Sequence, residues 1–125
     1  MNLIIFFDLE EVIRIHDKQI LIFGGATGIR DQNLLISAIN MPQCGVGGSY
    51  LYSDIYQMAA AYMYYIIKNH PFIDGNKRTG VVVGLAFLVA NKIEVRLSQE
   101  QVFDYALQIA TSKLSIEELA TLLRD

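Results

Sequence analysis

Apolar residues in this chain recur mostly at helical spacing, and short polar clusters punctuate them where helices begin and end. Asp8 followed by Glu11 marks a first helix start, with Val12, Ile13 and Ile15 as apolar positions and a stop near Ile20. The segment FGGATGIRD breaks that helix, because Gly24, Gly25 and Gly28 admit positive φ. Asp31 is placed to cap a short helix, QNLLISAIN, which must end before Pro42. Residues 42–50 are loop by composition, and Ser53 or Asp54 opens a long helix running to Asn69. His70 precedes Pro71, which pushes its backbone out of the α region and ends that helix. Another helix starts near Asp74 to Asn76 and reaches about Asn91. Ser98 with Gln101, and Ser115 with Glu118, are capping boxes for two more.

Strand patterns are few: Leu3–Phe7 and the alternating Ile93–Leu97. The fold class predicted is all-α, centred on helices 54–69 and 76–91, which are apolar on every face. No repeat or linker divides the chain, so residues 1–125 are expected to form a single domain.

Composition narrows the function classes. A hydrophobic fraction of 53% indicates a core-rich globule. The net charge of −3 and the lack of any Lys/Arg run argue against a nucleic-acid surface. One cysteine, Cys44, allows no internal disulfide and suits a reducing compartment. The start MNLIIFFDLEE has no basic region before its apolar residues, and the uncharged run Gly80–Ala90 falls short of the roughly 18 residues of a membrane span. These features lead us to expect a cytoplasmic protein without a membrane partner.

The densest titratable cluster, NHPFIDGNKRTG, lies between the two most apolar helices. A charged loop anchored by buried helices, with Phe72 as an apolar root, is a rigid platform for chemistry. Asp74, Gly75, Asn76 and Lys77 cross a helix N-terminus, where backbone N–H groups and the helix dipole attract anions. Gly75 lets a phosphate approach the backbone, and Lys77 and Arg78 add positive charge. Asp74 offers a hard oxygen to Mg²⁺, and His70 a proton acceptor near neutral pH. The set fits phosphoryl or nucleotidyl transfer. Taken singly, Asp74 fits an N-cap, His70 a helix end, and Lys77 with Arg78 a solvated face. Cations in a first turn oppose the helix dipole, however, which favours a bound anion. GGATG and GVGG lead into no Gly-Lys-Ser/Thr helix start, and His16 and His70 have no zinc-like spacing. No role for Arg30 follows from the residues alone.

HPFIDGNKRTG resembles the signature of the Fic/Doc superfamily in its Doc (death-on-curing) branch. HDKQILIFGGATGIRD (16–31) and LLISAINMPQ (34–43) resemble that branch's N-terminal part, so the likeness covers essentially the whole chain. It implies a Fic/Doc-like helical bundle in which two buried helices flank the motif loop. It further implies His70 as general base, Asp74 as Mg²⁺ ligand, Gly75, Asn76 and Lys77 as the anion-binding turn, and Arg78 as a holder of nucleotide phosphates. Loop 42–52 falls where such proteins carry a flap that aligns a target peptide by strand-like pairing, and Tyr50 and Tyr52 lie within it.

AMP-transferring Fic enzymes resemble HPFxxGNGRxxR; here Lys77 and Val81 stand at the second Gly and the last Arg. In the Doc branch that departure accompanies transfer of the γ-phosphate of ATP to a threonine of elongation factor Tu, with Mg²⁺. AMP transfer and a non-catalytic nucleotide-binding module are the alternatives. The inhibitory pattern Ser/Thr-x-x-x-Glu-Gly/Asn is absent, since Leu119 occupies the Glu position after Ser115. The resemblance therefore implies inhibition by a separate antitoxin protein, folded as a helix into a groove of the toxin.

Overall fold

The computed structural model describes residues 3–125. Among them the chain forms α1 (Leu9–Phe23), α2 (Gln32–Asn40), α3 (Ile55–Asn69), α4 (Asn76–Ala90), α5 (Gln99–Ala110) and α6 (Ile116–Arg124). A 3₁₀ turn at Met41–Gln43 and a minimal antiparallel hairpin, β1 (Gly45–Val46) with β2 (Ser49–Tyr50), connect α2 to α3. The fold is all-α, as the periodicity predicts. Among the described residues no helix is long and apolar enough to cross a membrane.

Helix starts follow the capping chemistry. Asp8, Asp31, Asp54, Ser98 and Ser115 each accept a hydrogen bond from the N–H three residues on. Glu11, Gln101 and Glu118 close reciprocal capping boxes with Asp8, Ser98 and Ser115. Helix α1 passes its predicted stop and ends at Phe23, where Gly24 turns away at φ 85°.

Helix α3 is the hub, packed against α2, α4, α5 and α6. Its Ala59, Ala60, Ala61, Tyr62 and Ile66 are fully buried. Close approach to α4 depends on small residues. A Cβ added at Gly84 would lie 2.5 Å from the Met63 side chain and 3.0 Å from the Ala59 carbonyl oxygen. One added at Gly80 would lie 2.9 Å from Ile67. The two helices that flank the motif loop are thus held backbone to backbone, which fixes the spacing of the loop's ends.

Neither predicted strand forms. Among the described residues, Leu3–Phe7 and Ile93–Leu97 form neither helix nor strand and join no sheet. The alternation of the second is satisfied because Ile93, Val95 and Leu97 pack on the helical core, and Ile4, Phe6 and Phe7 of the all-apolar first segment pack on it too. The Asn91 side chain takes the place of a strand partner for Ile5: its Oδ1 accepts from the Ile5 N–H at 2.8 Å and its Nδ2 donates to the Ile5 carbonyl at 3.0 Å. The Tyr62 hydroxyl accepts from the Phe7 N–H at 3.0 Å, and burial pushes that phenol up to about 12.

Candidate active site

The motif loop is pinned by a segment far from it in sequence. The N–H groups of Arg30 and Asp31 both donate to the Pro71 carbonyl, at 2.7 and 3.0 Å, and the Ile73 N–H donates to Gly28 at 3.1 Å. Residues 28–31 therefore run antiparallel to 71–73, with Ile29 bridged to Phe72. Phe72 is fully buried and stacks on the ring of His16, centroids 3.8 Å apart and planes nearly parallel. The Asn76 side chain closes the loop from inside. Its Oδ1 accepts from the Phe72 N–H and its Nδ2 donates to the Phe72 carbonyl, both at 2.9 Å. That amide is committed to the loop, so what Asn76 can offer an anion is its backbone N–H.

Helix α4 starts one residue later than an Asp74 cap would give. Gly75 is the N-cap, in the left-handed region at φ 76°, and contributes no side-chain bond. A Cβ there would come within 3.1 Å of Ile20 and 3.7 Å of His16 Nε2, so the turn requires glycine. The Thr79 N–H is the first in α4 to reach a backbone acceptor, the Gly75 carbonyl at 2.9 Å. Among the described residues nothing accepts from the N–H groups of Asn76, Lys77 and Arg78. They form a ready anion nest at the positive end of the helix dipole.

Asp74 faces the glycine segment instead of capping the helix. Its Oδ2 accepts from the Ala26 N–H at 3.1 Å and its Oδ1 from the Gly75 N–H at 2.9 Å. Those two bonds, Ala26 first, hold the carboxyl below its ordinary value of 3.8. Gly25 makes this possible, because a Cβ on it would sit 2.6 Å from Asp74 Oδ2. The Asp74 carbonyl is an acceptor only, so the buried His16 must donate to it through Nε2–H, at 2.8 Å.

A consequence concerns acid. With the folded-state value lowered, the stabilisation from these bonds is fully present above the unfolded value near 3.8. It is lost as pH falls through the lowered folded value. The stability difference between wild type and Asp74→Asn is expected to shrink steadily below about pH 4. It should be small throughout, since the group is exposed. Denaturant titrations at neutral and acid pH check this; a constant difference would contradict it.

His70 is exposed and is the C-cap of α3, with φ 50° and ψ 53°. The extended backbone expected of a residue before proline is not what forms. A left-handed non-glycine residue costs on the order of 1–3 kcal/mol and needs its surroundings to hold it. Arg30 does part of this: its Nε donates to the His70 carbonyl at 2.6 Å and its Nη2 to the Asn69 carbonyl at 2.9 Å. The Asn69 side chain in turn donates to the Leu34 carbonyl of α2 at 3.0 Å.

His70, Asp74, Gly75, Asn76, Lys77 and Arg78 all line one cavity of about 460 Å³, closed on its other side by Gln19, Phe23, Phe103 and Leu107. The Arg78 guanidinium lies 3.7 Å from the Phe23 ring centroid and 5.3 Å from that of Phe103. Stacking on ring faces leaves the N–H edge of a guanidinium available for phosphate. Every motif residue expected to react or to bind thus borders the same space, and the aromatic walls are what sequence reading missed. Of the flap tyrosines, Tyr52 is buried, its phenol raised by that burial and hydrogen-bonded to Tyr65 at 2.9 Å, whereas Tyr50 faces outward. Among the described residues the hairpin pairs only with itself, Gly45 opposite Tyr50 and Val46 opposite Ser49. Cys44 is exposed and has no part in the cavity. No cluster of three His, Cys, Asp or Glu side chains occurs among the described residues.

The model of the Fic/DOC family matches residues 6–88, a span that holds the glycine segment, the flap and the whole motif. The chain belongs to the Fic/DOC family. Within it, the chain is 32% identical over 115 residues to the protein kinase doc of Escherichia phage P1, covering 92% of this chain and 90% of that one. It is 31% identical over 100 residues to the toxin Doc of Mycolicibacterium smegmatis, covering 78% and 77%. The Fic/DOC match stops at 88, within α4, while the phage relative's similarity covers nearly the full length.

Proposed function

We propose that this protein is the toxin of a toxin–antitoxin pair and transfers the γ-phosphate of ATP to a protein hydroxyl, with a threonine of elongation factor Tu as the target. The observation that carries the reading is the convergence of an exposed imidazole, an unsatisfied helix N-terminus and two cations on one cavity. The relatives named a protein kinase and a toxin support it.

In this reading the N–H groups of residues 76–78, with Lys77 and Arg78, hold the triphosphate. His70 takes the proton of the target hydroxyl as its oxygen bonds to the γ-phosphorus, while the bond to the β-phosphate oxygen breaks and ADP leaves. Asp74 fits a Mg²⁺ held jointly with phosphates, because it is an ionised, exposed carboxylate. Each of its oxygens accepts a single backbone bond and so keeps lone-pair capacity. Such an ion would neutralise phosphate charge. The position of the second arginine in AMP-transferring relatives is Val81, which is buried in the core. That supports γ-phosphate over AMP transfer. Phe23 and Leu107 are exposed apolar residues lining the cavity, and Leu21 and Ile22 beside Phe23 are exposed too. This edge suits an amphipathic antitoxin helix.

The test is incubation with ATP labelled at either end, Mg²⁺ and purified elongation factor Tu. γ-Label on the factor is expected; α-label would mean AMP transfer, and no label a binding module. In the same assay Arg78→Ala should lower kcat/KM about 10- to 100-fold through lost charge-assisted hydrogen bonds. Asp74→Asn should lower it in a manner that eases as Mg²⁺ is raised. Equal Mg²⁺ dependence of the two variants would count against this division of roles.

A further inference from the structure

We propose that Arg30 is a positioning residue for His70, acting as a side-chain cap that fixes the left-handed turn from which the imidazole projects; the kinetic part of this inference rests on the proposed transfer. Arg30 is exposed and lies outside the cavity lining, so it has no place as a ligand contact. Its guanidinium is nevertheless fully aimed. Two of its N–H groups reach the last carbonyls of α3, those of Asn69 and His70. A cation at that point also meets the negative end of the α3 dipole. The bidentate fork matters because His70 holds a backbone conformation that neither its own side chain nor the following proline favours. A return of that residue to extended backbone, compensated in its neighbours, would redirect the imidazole away from the cavity, whereas residues 75–78 do not rely on Arg30. Those residues are secured separately, by the Asn76 amide and by the His16 bond to Asp74.

The attachment of the two segments does not itself depend on the guanidinium. The N–H groups of Arg30, Asp31 and Ile73 belong to the backbone, and their bonds to Pro71 and Gly28 do not involve the guanidinium. Arg30→Met, which keeps the stem and removes the donors, is therefore expected to fold. It should act on His70 and not on the phosphate turn.

The experiment pairs ring resonances with kinetics. In nucleotide-free Arg30→Met, the His70 ring signals should broaden or split while those of His16 stay as in wild type. The kcat for γ-phosphate transfer should fall about 10²-fold, the scale for a displaced reacting group, with KM for ATP within about twofold. In a His70→Ala background the same substitution should cost nothing more. Unchanged His70 signals in folded Arg30→Met overturn the proposal, as does an equal kcat loss in the His70→Ala background. Should Arg30→Met not fold, Arg30→Lys carries the test. A lysine reaches one carbonyl at a time, so perturbed His70 signals and an intermediate kcat are expected, and wild-type values of both overturn it. If wild type transfers no phosphate, the ring signals still decide whether Arg30 sets His70, and the failure belongs to the proposed function alone.

Discussion

His70→Ala is expected to give a folded protein whose phosphate transfer is about 10²- to 10⁴-fold slower, the usual cost of removing a general base. The imidazole is exposed, and the only bonds that His70 makes among the described residues run through its backbone carbonyl. Alanine in the same left-handed turn meets much the same strain, and Arg30 still holds the carbonyl. Thermal unfolding should therefore move little. Nucleotide affinity should also persist, because the nest at residues 76–78 and the stacked Arg78 do not involve the ring. Single-turnover transfer, nucleotide binding and unfolding measured on one preparation separate these quantities. Wild-type turnover in a folded variant would remove His70 from the chemistry and leave the cavity as a binding site.

Phe72→Ala should act the opposite way, through stability. The ring is fully buried beneath the loop and stacked face to face on His16. Deleting a buried phenylalanine costs about 3–5 kcal/mol in lost transfer energy and residual cavity. For a domain whose total stability is of the order of 5–15 kcal/mol, that is a large share. The damage should be greatest locally, because Phe72 is also the residue whose backbone N–H and carbonyl are both taken by Asn76. Loosening it frees the turn on which Asp74 and Gly75 depend. Urea denaturation should show the lowered midpoint, and transfer should fall even where the protein remains folded. A loss under about 1 kcal/mol would mean that the ring is not the loop's anchor.

The two large effects have different legibility. The position of His70 and the apolar root at Phe72 both follow from one contiguous stretch, so reading along the chain finds them together. What Phe72 packs on is His16, fifty-six positions away in order (72 − 16), and no local pattern announces such a pair. The same holds for Asp74. Its charge and its place beside a helix start suggest an N-cap, yet its carboxylate accepts from the Ala26 N–H, beside a Gly25 that leaves it room, and the cap passes to Gly75.

By itself the sequence determined the helices, the side-chain caps at the starts of five of them and the contiguous motif, because capping and periodicity are interactions between residues a few positions apart. It also determined that the two most apolar helices bracket the charged loop. Only the tertiary structure decided the rest. Leu3–Phe7 and the alternating Ile93–Leu97 read as strands but meet a helical surface and, at Ile5, an asparagine amide in place of a neighbouring strand. Asn76 looks like part of an anion site and spends its side chain on Phe72. Arg30, which carries no signal along the chain, is brought by the antiparallel run of residues 28–31 to the two carbonyls that end α3. Pairings of that kind depend on where distant segments cross, and a chain read in order has no local energy that records the crossing.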